Sequence, residues 1–164
     1  MSSIYPQFLK LSRLPGGKFL FSKAIGFAAP FFGKIKPKVI DLRPGYCEVE
    51  IKDRWGVRNH IGTVNAGALC SLAELTGGLA LDSLVPKELR WIPRGMTVCY
   101  IKKATGTLSA TSQLEAKQLK EGDIIVPISV NNQEGNEVFT ADITFYLSSK
   151  RSAHEKISIG NYSA

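Results

Sequence analysis

Asn59-His60-Ile61-Gly62-Thr63-Val64-Asn65-Ala66-Gly67-Ala68-Leu69-Cys70-Ser71-Leu72-Ala73-Glu74-Leu75-Thr76-Gly77-Gly78-Leu79-Ala80-Leu81-Asp82 is the stretch whose reading decides the fold. A glycine-bearing loop feeds one long run with no proline. Asn65 is a good N-cap residue, and a helix over 66–83 can follow it. Ala66, Leu69, Cys70, Leu72, Ala73, Leu75, Leu79 and Leu81 wrap most of that helix. A helix that is apolar all round is buried rather than laid on a surface. Glu74 is the one acidic group in the middle of the run, and a buried carboxylate is costly unless paired or used. Gly77-Gly78 is unfavourable inside a helix and marks close packing or space for a ligand.

On both sides of this helix the period changes from helical to alternating. Upstream, 34–42 and 46–52 read as two strands around the turn Arg43-Pro44-Gly45. In the second, Cys47, Val49 and Ile51 alternate with Glu48, Glu50 and Lys52, the pattern of a half-buried antiparallel strand. Downstream, four more strands are expected over 91–104, 106–119, 124–131 and 138–147, with Gly122 and Gly135 in the turns. The order is two strands, one buried helix and four antiparallel strands. A long curved sheet wrapped around one central helix, an α+β fold, satisfies it. Before the first strand, short helices over 7–14 and 18–29 are expected, with residues 1–6 loose. The chain then divides into an N-terminal helical arm (1–33), the sheet-and-helix domain (34–148) and a polar tail (149–164).

The 164 residues suffice for one domain with a real core, and 44% hydrophobic with 21% charged residues is ordinary globular composition. No apolar run approaches a membrane span. Cys47, Cys70 and Cys99 lack metal-type spacing and are read as reduced thiols packed in the core. Cysteines of that kind suit a cytoplasmic protein. No metal site is expected. The net charge of +7 is uneven: seven Lys and Arg precede Asp41, with no Asp or Glu among them. Phe8, Phe19, Phe21, Phe27, Phe31 and Phe32 share that segment. It reads as an arm packed on the domain with a solvated basic face; a weak membrane contact and a targeting segment are the alternatives. No nucleic-acid-binding motif is present. The charge also suits an anionic ligand.

The element order and the motif resemble the hotdog-fold thioesterases, and among them the PaaI-like (phenylacetate-pathway) acyl-CoA thioesterases and related hotdog domains. That group carries N-x-x-G-x-x-H-G-G followed by L-x-D or L-x-E on the helix. Asn59, Gly62, Gly67 and Leu72-Ala73-Glu74 fall on those positions without a gap. The element order matches over about 34–148, the specific motif over 59–78. Asn65 stands where the group has histidine and Ala66 where it has the next glycine. Pro93 stands where many members have a Ser or Thr. The resemblance implies acyl-CoA thioester hydrolysis, with coenzyme A entering only as part of the substrate. It also implies sites shared across a two-fold homodimer, often paired again into tetramers.

Thioester hydrolysis needs an activated water and a donor for the carbonyl oxygen. Glu74 suits the first task as general base or nucleophile. The amide of Gly67, at the positive end of the helix, suits the second. Seven residues apart, the two share one helix face but are separated by about 10 Å along the axis. A symmetric pair of antiparallel helices brings Gly67 of one subunit to Glu74 of the other, so an obligate dimer is expected. Asn59 is a candidate to orient the water or the thioester oxygen. Asn65 and Ala66 at the helix mouth, with Ser71, Thr76, Leu75 and Gly78 along it, complete the substrate-binding set. Arg94, Lys102 and Lys103 are candidates for the coenzyme A phosphates. Each has a plainer reading: Glu74 as a structural carboxylate, Asn65 as an N-cap only, Asn59 as a turn-closing side chain, the lysines as solvated. A non-catalytic acyl-binding hotdog protein is the main rival function. A hotdog dehydratase is less favoured, because neither His60 nor His154 stands where its base belongs.

Overall fold

The computed structural model describes residues 4–150. The expected tail falls outside them except for Ser149 and Lys150. Three helices come first: α1 (Ile4–Ser12), α2 (Gly17–Ala28) and the one-turn α3 (Pro30–Gly33). Strands β1 (Lys38–Arg43) and β2 (Tyr46–Lys52) follow, then a 3-10 turn at Trp55–Val57. The long helix α4 (Ala66–Leu84) comes next. Strands β3 (Leu89–Tyr100), β4 (Thr107–Gln113), β5 (Gly122–Asn132) and β6 (Glu137–Ser149) are the remaining strands among the described residues.

The six strands form one antiparallel sheet in the order β1-β2-β4-β5-β6-β3, curled around α4. This is the hotdog arrangement. Alternation drives it: every second residue of β2, β4, β5 and β6 is buried against the helix. Leu72 and Leu81 of α4 and Phe139, Ile143, Phe145 and Leu147 of β6 are fully buried. Burying a side chain of this size contributes about 2 kcal/mol. Gly77 is the near-contact point of helix and sheet, since a Cβ there would lie 3.2 Å from Val126 and Ile128 side-chain carbons. Gly45 is demanded by the β1–β2 turn: its φ is +77°, and a Cβ would meet the Leu114 carbonyl oxygen at 2.3 Å.

Several expectations are corrected. Residues 4–6 are helical, not loose; the Asp82 carboxylate of α4 accepts the Ile4 amide at 3.0 Å and so fixes the start of α1. The first strand starts at Lys38 rather than 34, because α3 and the left-handed Lys36 (φ 51°) intervene. The 91–104 strand ends at Tyr100, and the 106–119 strand ends at Gln113. A 3-10 turn closed by a Glu115–Gln118 capping box follows the latter. Cys99 is exposed on the edge strand rather than packed in the core, and Cys70 is half-buried. Only Cys47 is a core thiol; burial pushes its pKa far up, with Asp41 and Glu48 adding to the effect.

Candidate active site on the central helix

Helix α4 is not covered on every side. Ala66 and Gly67 are exposed, and Cys70 and Glu74 are half-buried. Residues 67, 70 and 74 share one face, and this is the stripe that the sheet leaves uncovered. Beside it, the Tyr100 hydroxyl of β3 lies 3.6 Å from Cys70 Sγ.

Glu74 opens into a cavity of about 550 Å³. Leu75, Gly78 and Leu79 of α4 form its floor, and Trp91 of β3 one wall. The opposite wall is the helical arm, through Ile4, Ile25 and Phe32. Trp91 is held edge-on to Phe145, ring centroids 5.1 Å apart. A Cβ on Gly78 would stand 3.2 Å from the Trp91 ring, so glycine there is what lets the ring pack this close to α4. The sequence reads the arm as packed on the domain without showing where, and the packing of α1 and α3 on α4 is what brings it against the Glu74 cavity.

A second, smaller cleft of about 300 Å³ lies at the N-terminus of α4, lined by Asn65, Gly67, Ser71, Phe31 and Arg58 among others. Asn65 is the N-cap, as expected: its Oδ1 accepts the Gly67 amide at 2.7 Å. The expected oxyanion donor, the Gly67 N–H, is therefore already engaged. Two donors remain at this helix mouth. With its oxygen held by the cap, the Asn65 carboxamide keeps an NH2 that no acceptor among the described residues takes. Among the described residues no acceptor takes the Ala66 amide. Ser71 Oγ donates to the Gly67 carbonyl at 2.8 Å and lines the same cleft.

The remaining candidates separate. Asn59 closes the loop before α4: its Nδ2 donates to Thr63 Oγ1 (2.8 Å), and its Oδ1 accepts the amides of Ile61 and Thr63. Thr76 is fully buried on the sheet side, bonded to the Leu72 carbonyl at 2.7 Å, and does not border the Glu74 cavity. Arg94 is committed elsewhere, paired with Asp123 at 3.0 Å and stacked 3.8 Å over the Tyr146 ring. Lys102 and Lys103 lie just beyond β3, both exposed, with Lys102 Nζ 3.3 Å from Asn136 Oδ1. Their segment touches the loop entering α4, where the Val64 amide donates to the Ala104 carbonyl at 2.8 Å. His60 is an exposed loop residue.

One ion pair supports that loop. The Asp53 carboxylate, 6% exposed, accepts Arg58 Nε at 2.6 Å and the Gly106 amide at 3.2 Å. The Arg58 hydrogen bond holds the Asp53 carboxyl below the usual carboxylate range, helped by the Gly106 amide and opposed by burial. Among the described residues no cluster of His, Cys, Asp or Glu could hold a metal ion, and no helix is long and apolar enough to cross a membrane.

The family model described as a domain of unknown function (DUF4442) matches residues 17–147. Comparison with curated proteins finds no match. Among solved structures, a structural-genomics target is 40% identical over 90% of this chain and 99% of its own, with a TM-score of 0.81. A Pseudomonas aeruginosa protein called a probable thioesterase is 22% identical, over 84% of this chain and 97% of its own, with a TM-score of 0.73. A hypothetical thioesterase from Streptococcus pneumoniae, solved with coenzyme A, is 22% identical over 71% of this chain and 91% of its own, with a TM-score of 0.61. At these last two identities the likeness speaks for the fold.

Proposed function

Because the chain belongs to the family described as a domain of unknown function (DUF4442) and wraps its helix as hotdog proteins do, we propose that it is an acyl-CoA thioesterase. The observation that carries this reading is the Glu74 carboxylate opening into an apolar cavity of about 550 Å³. That size is within the usual range for a small-molecule site. Thioesterase names among the structural neighbours, one of them holding coenzyme A, support it.

In this reading the acyl group lies along Leu75, Gly78, Leu79 and Trp91. Glu74 takes a proton from a water, whose oxygen attacks the thioester carbon. Charge then collects on the carbonyl oxygen, which the Asn65 NH2 and the Ala66 N–H receive at the helix mouth. The C–S bond breaks, the thiolate leaves with the proton that Glu74 holds, and a carboxylic acid and a free thiol result. Lys103, beside the entry loop, suits a coenzyme A phosphate.

Within one protomer the two halves of this machinery lie in separate cavities that share no lining residue. A two-fold partner solves the separation. β3 supports such a partner: among the described residues it pairs only with β6, leaving a twelve-residue edge whose Ile92 and Tyr100 are exposed beside the open stripe of α4. An unpaired edge of that length is a ready template for a second copy. The dimer joins the two sheets at β3 and sets Glu74 of one subunit by the helix mouth of the other.

Release of free thiol from straight-chain, branched and aromatic acyl-CoA esters tests the function. The expected result is turnover that rises with acyl hydrophobicity and falls at least about a thousandfold in Glu74→Gln. Folded protein that keeps acyl-CoA intact and hydrolyses no ester would mark an acyl-binding protein instead.

A further inference from the structure

Helix α2 is apolar on two opposite faces. Phe21 and Ile25 are buried against the domain, while Phe19 (63% exposed), Leu20 and Phe27 (88% exposed) point the other way. A surface helix with one core face carries polar groups on the other, so this outer stripe is unexplained by folding. Lys23 lies within it, its ammonium 5.4 Å from the Phe19 ring. Beside the stripe runs a groove of about 650 Å³ between α2 and the β1–β2 hairpin, which Lys23, Lys36, Lys38 and Lys52 line. Glu50 is the one acid in its lining, 3.9 Å from Lys38.

We propose that the outer face of α2, with the lysine groove beside it, docks on an anionic phospholipid bilayer, inserting Phe19, Leu20 and Phe27 among the acyl chains. Charge complementarity argues for that occupant. No acidic residue precedes Asp41, so a second copy seated on this face by a two-fold would set lysines against lysines. A docked protein meets an apolar centre with a polar rim. Here rings and ammonium groups interleave along one stripe, the arrangement in which rings enter the bilayer and lysines reach up to the phosphates. Bilayer attraction of this kind combines buried apolar area with one electrostatic increment per lysine. The inference is independent of the hydrolase reading, because docking needs neither Glu74 nor turnover.

Flotation of the full chain with vesicles of phosphatidylcholine alone, or of phosphatidylcholine with phosphatidylserine, tests it. The expected result is binding to the anionic vesicles at low salt, release at high salt and little binding to the neutral ones. Replacing Phe19 and Phe27 together by Ser lowers the bound fraction at least about tenfold. Lys23→Gln and Lys36→Gln each lower it about fivefold. An unchanged thermal transition shows that the variants stay folded. Absence of binding to anionic vesicles, or equal binding by the phenylalanine variant, overturns the proposal. So does a wild-type assembly that ignores vesicles and shrinks in the phenylalanine variant, since a second copy then covers the face. Binding to soluble polyglutamate as strong as to vesicles, and indifferent to the phenylalanines, overturns it too.

Discussion

In the proposed mechanism Asn65 does two jobs with two ends of one side chain. Its oxygen caps α4 through the Gly67 amide at 2.7 Å, which leaves the NH2 as a fixed donor. Asn65→Asp keeps the cap and removes the donor. The account expects an undiminished thermal transition with kcat lowered about a hundred- to a thousandfold; loss of stability with unchanged kcat would return Asn65 to a purely structural role. Asp53 carries the pH dependence of the loop that delivers Asn65. Its folded pKa is depressed, so its stabilising effect is complete above the unfolded carboxylate value and is lost as pH falls through the folded one. Because Arg58 is half exposed and solvent screens the pair, Asp53→Asn costs about 1 kcal/mol at neutral pH. The difference from the wild type closes as the solution is acidified, which denaturant titrations across the acid range will show.

The elements were legible where one physical signal dominated. Alternation placed β2 to the residue, and the unbroken apolar run behind Asn65 placed α4. Legibility failed where packing chose between equal local options. Pro30-Phe31-Phe32-Gly33 reads as a stop signal, yet closes one further turn of helix and delays β1. Glu74, Leu75 and Gly78, which line one cavity, were named from the helix alone. Asn59 and Thr76 instead turn polar atoms to Thr63 and to the Leu72 carbonyl, because sequence spacing does not show which partners such atoms will take. Trp91 and the arm wall arise from contacts between segments remote in sequence. Gly78→Ala places a methyl 3.2 Å from the Trp91 ring, and the account expects kcat/KM for the longest acyl chain to fall about tenfold while short esters are spared. A uniform loss across chain lengths would place the acyl group elsewhere.

At the scale of the whole molecule, one helix carries both a carboxylate and a donor set, about 12 Å apart along its axis, and opens them into different cavities. The open stripe of α4 and the unpaired edge of β3 lie side by side, so the proposed two-fold that pairs the edges also joins the half-sites. The helical arm stands outside that arrangement, with its inner face on the Glu74 cavity and its basic, aromatic face outward. The most direct test of the shared site is subunit mixing. Glu74→Gln and Asn65→Asp proteins, each nearly inactive, are unfolded together, refolded and assayed for thiol release. Random pairing makes about half the dimers mixed, each with one intact site of two, so the account predicts recovery of about a quarter of wild-type activity. Activity no higher than the mean of the two parent variants would contradict it, and would return both groups to a single subunit.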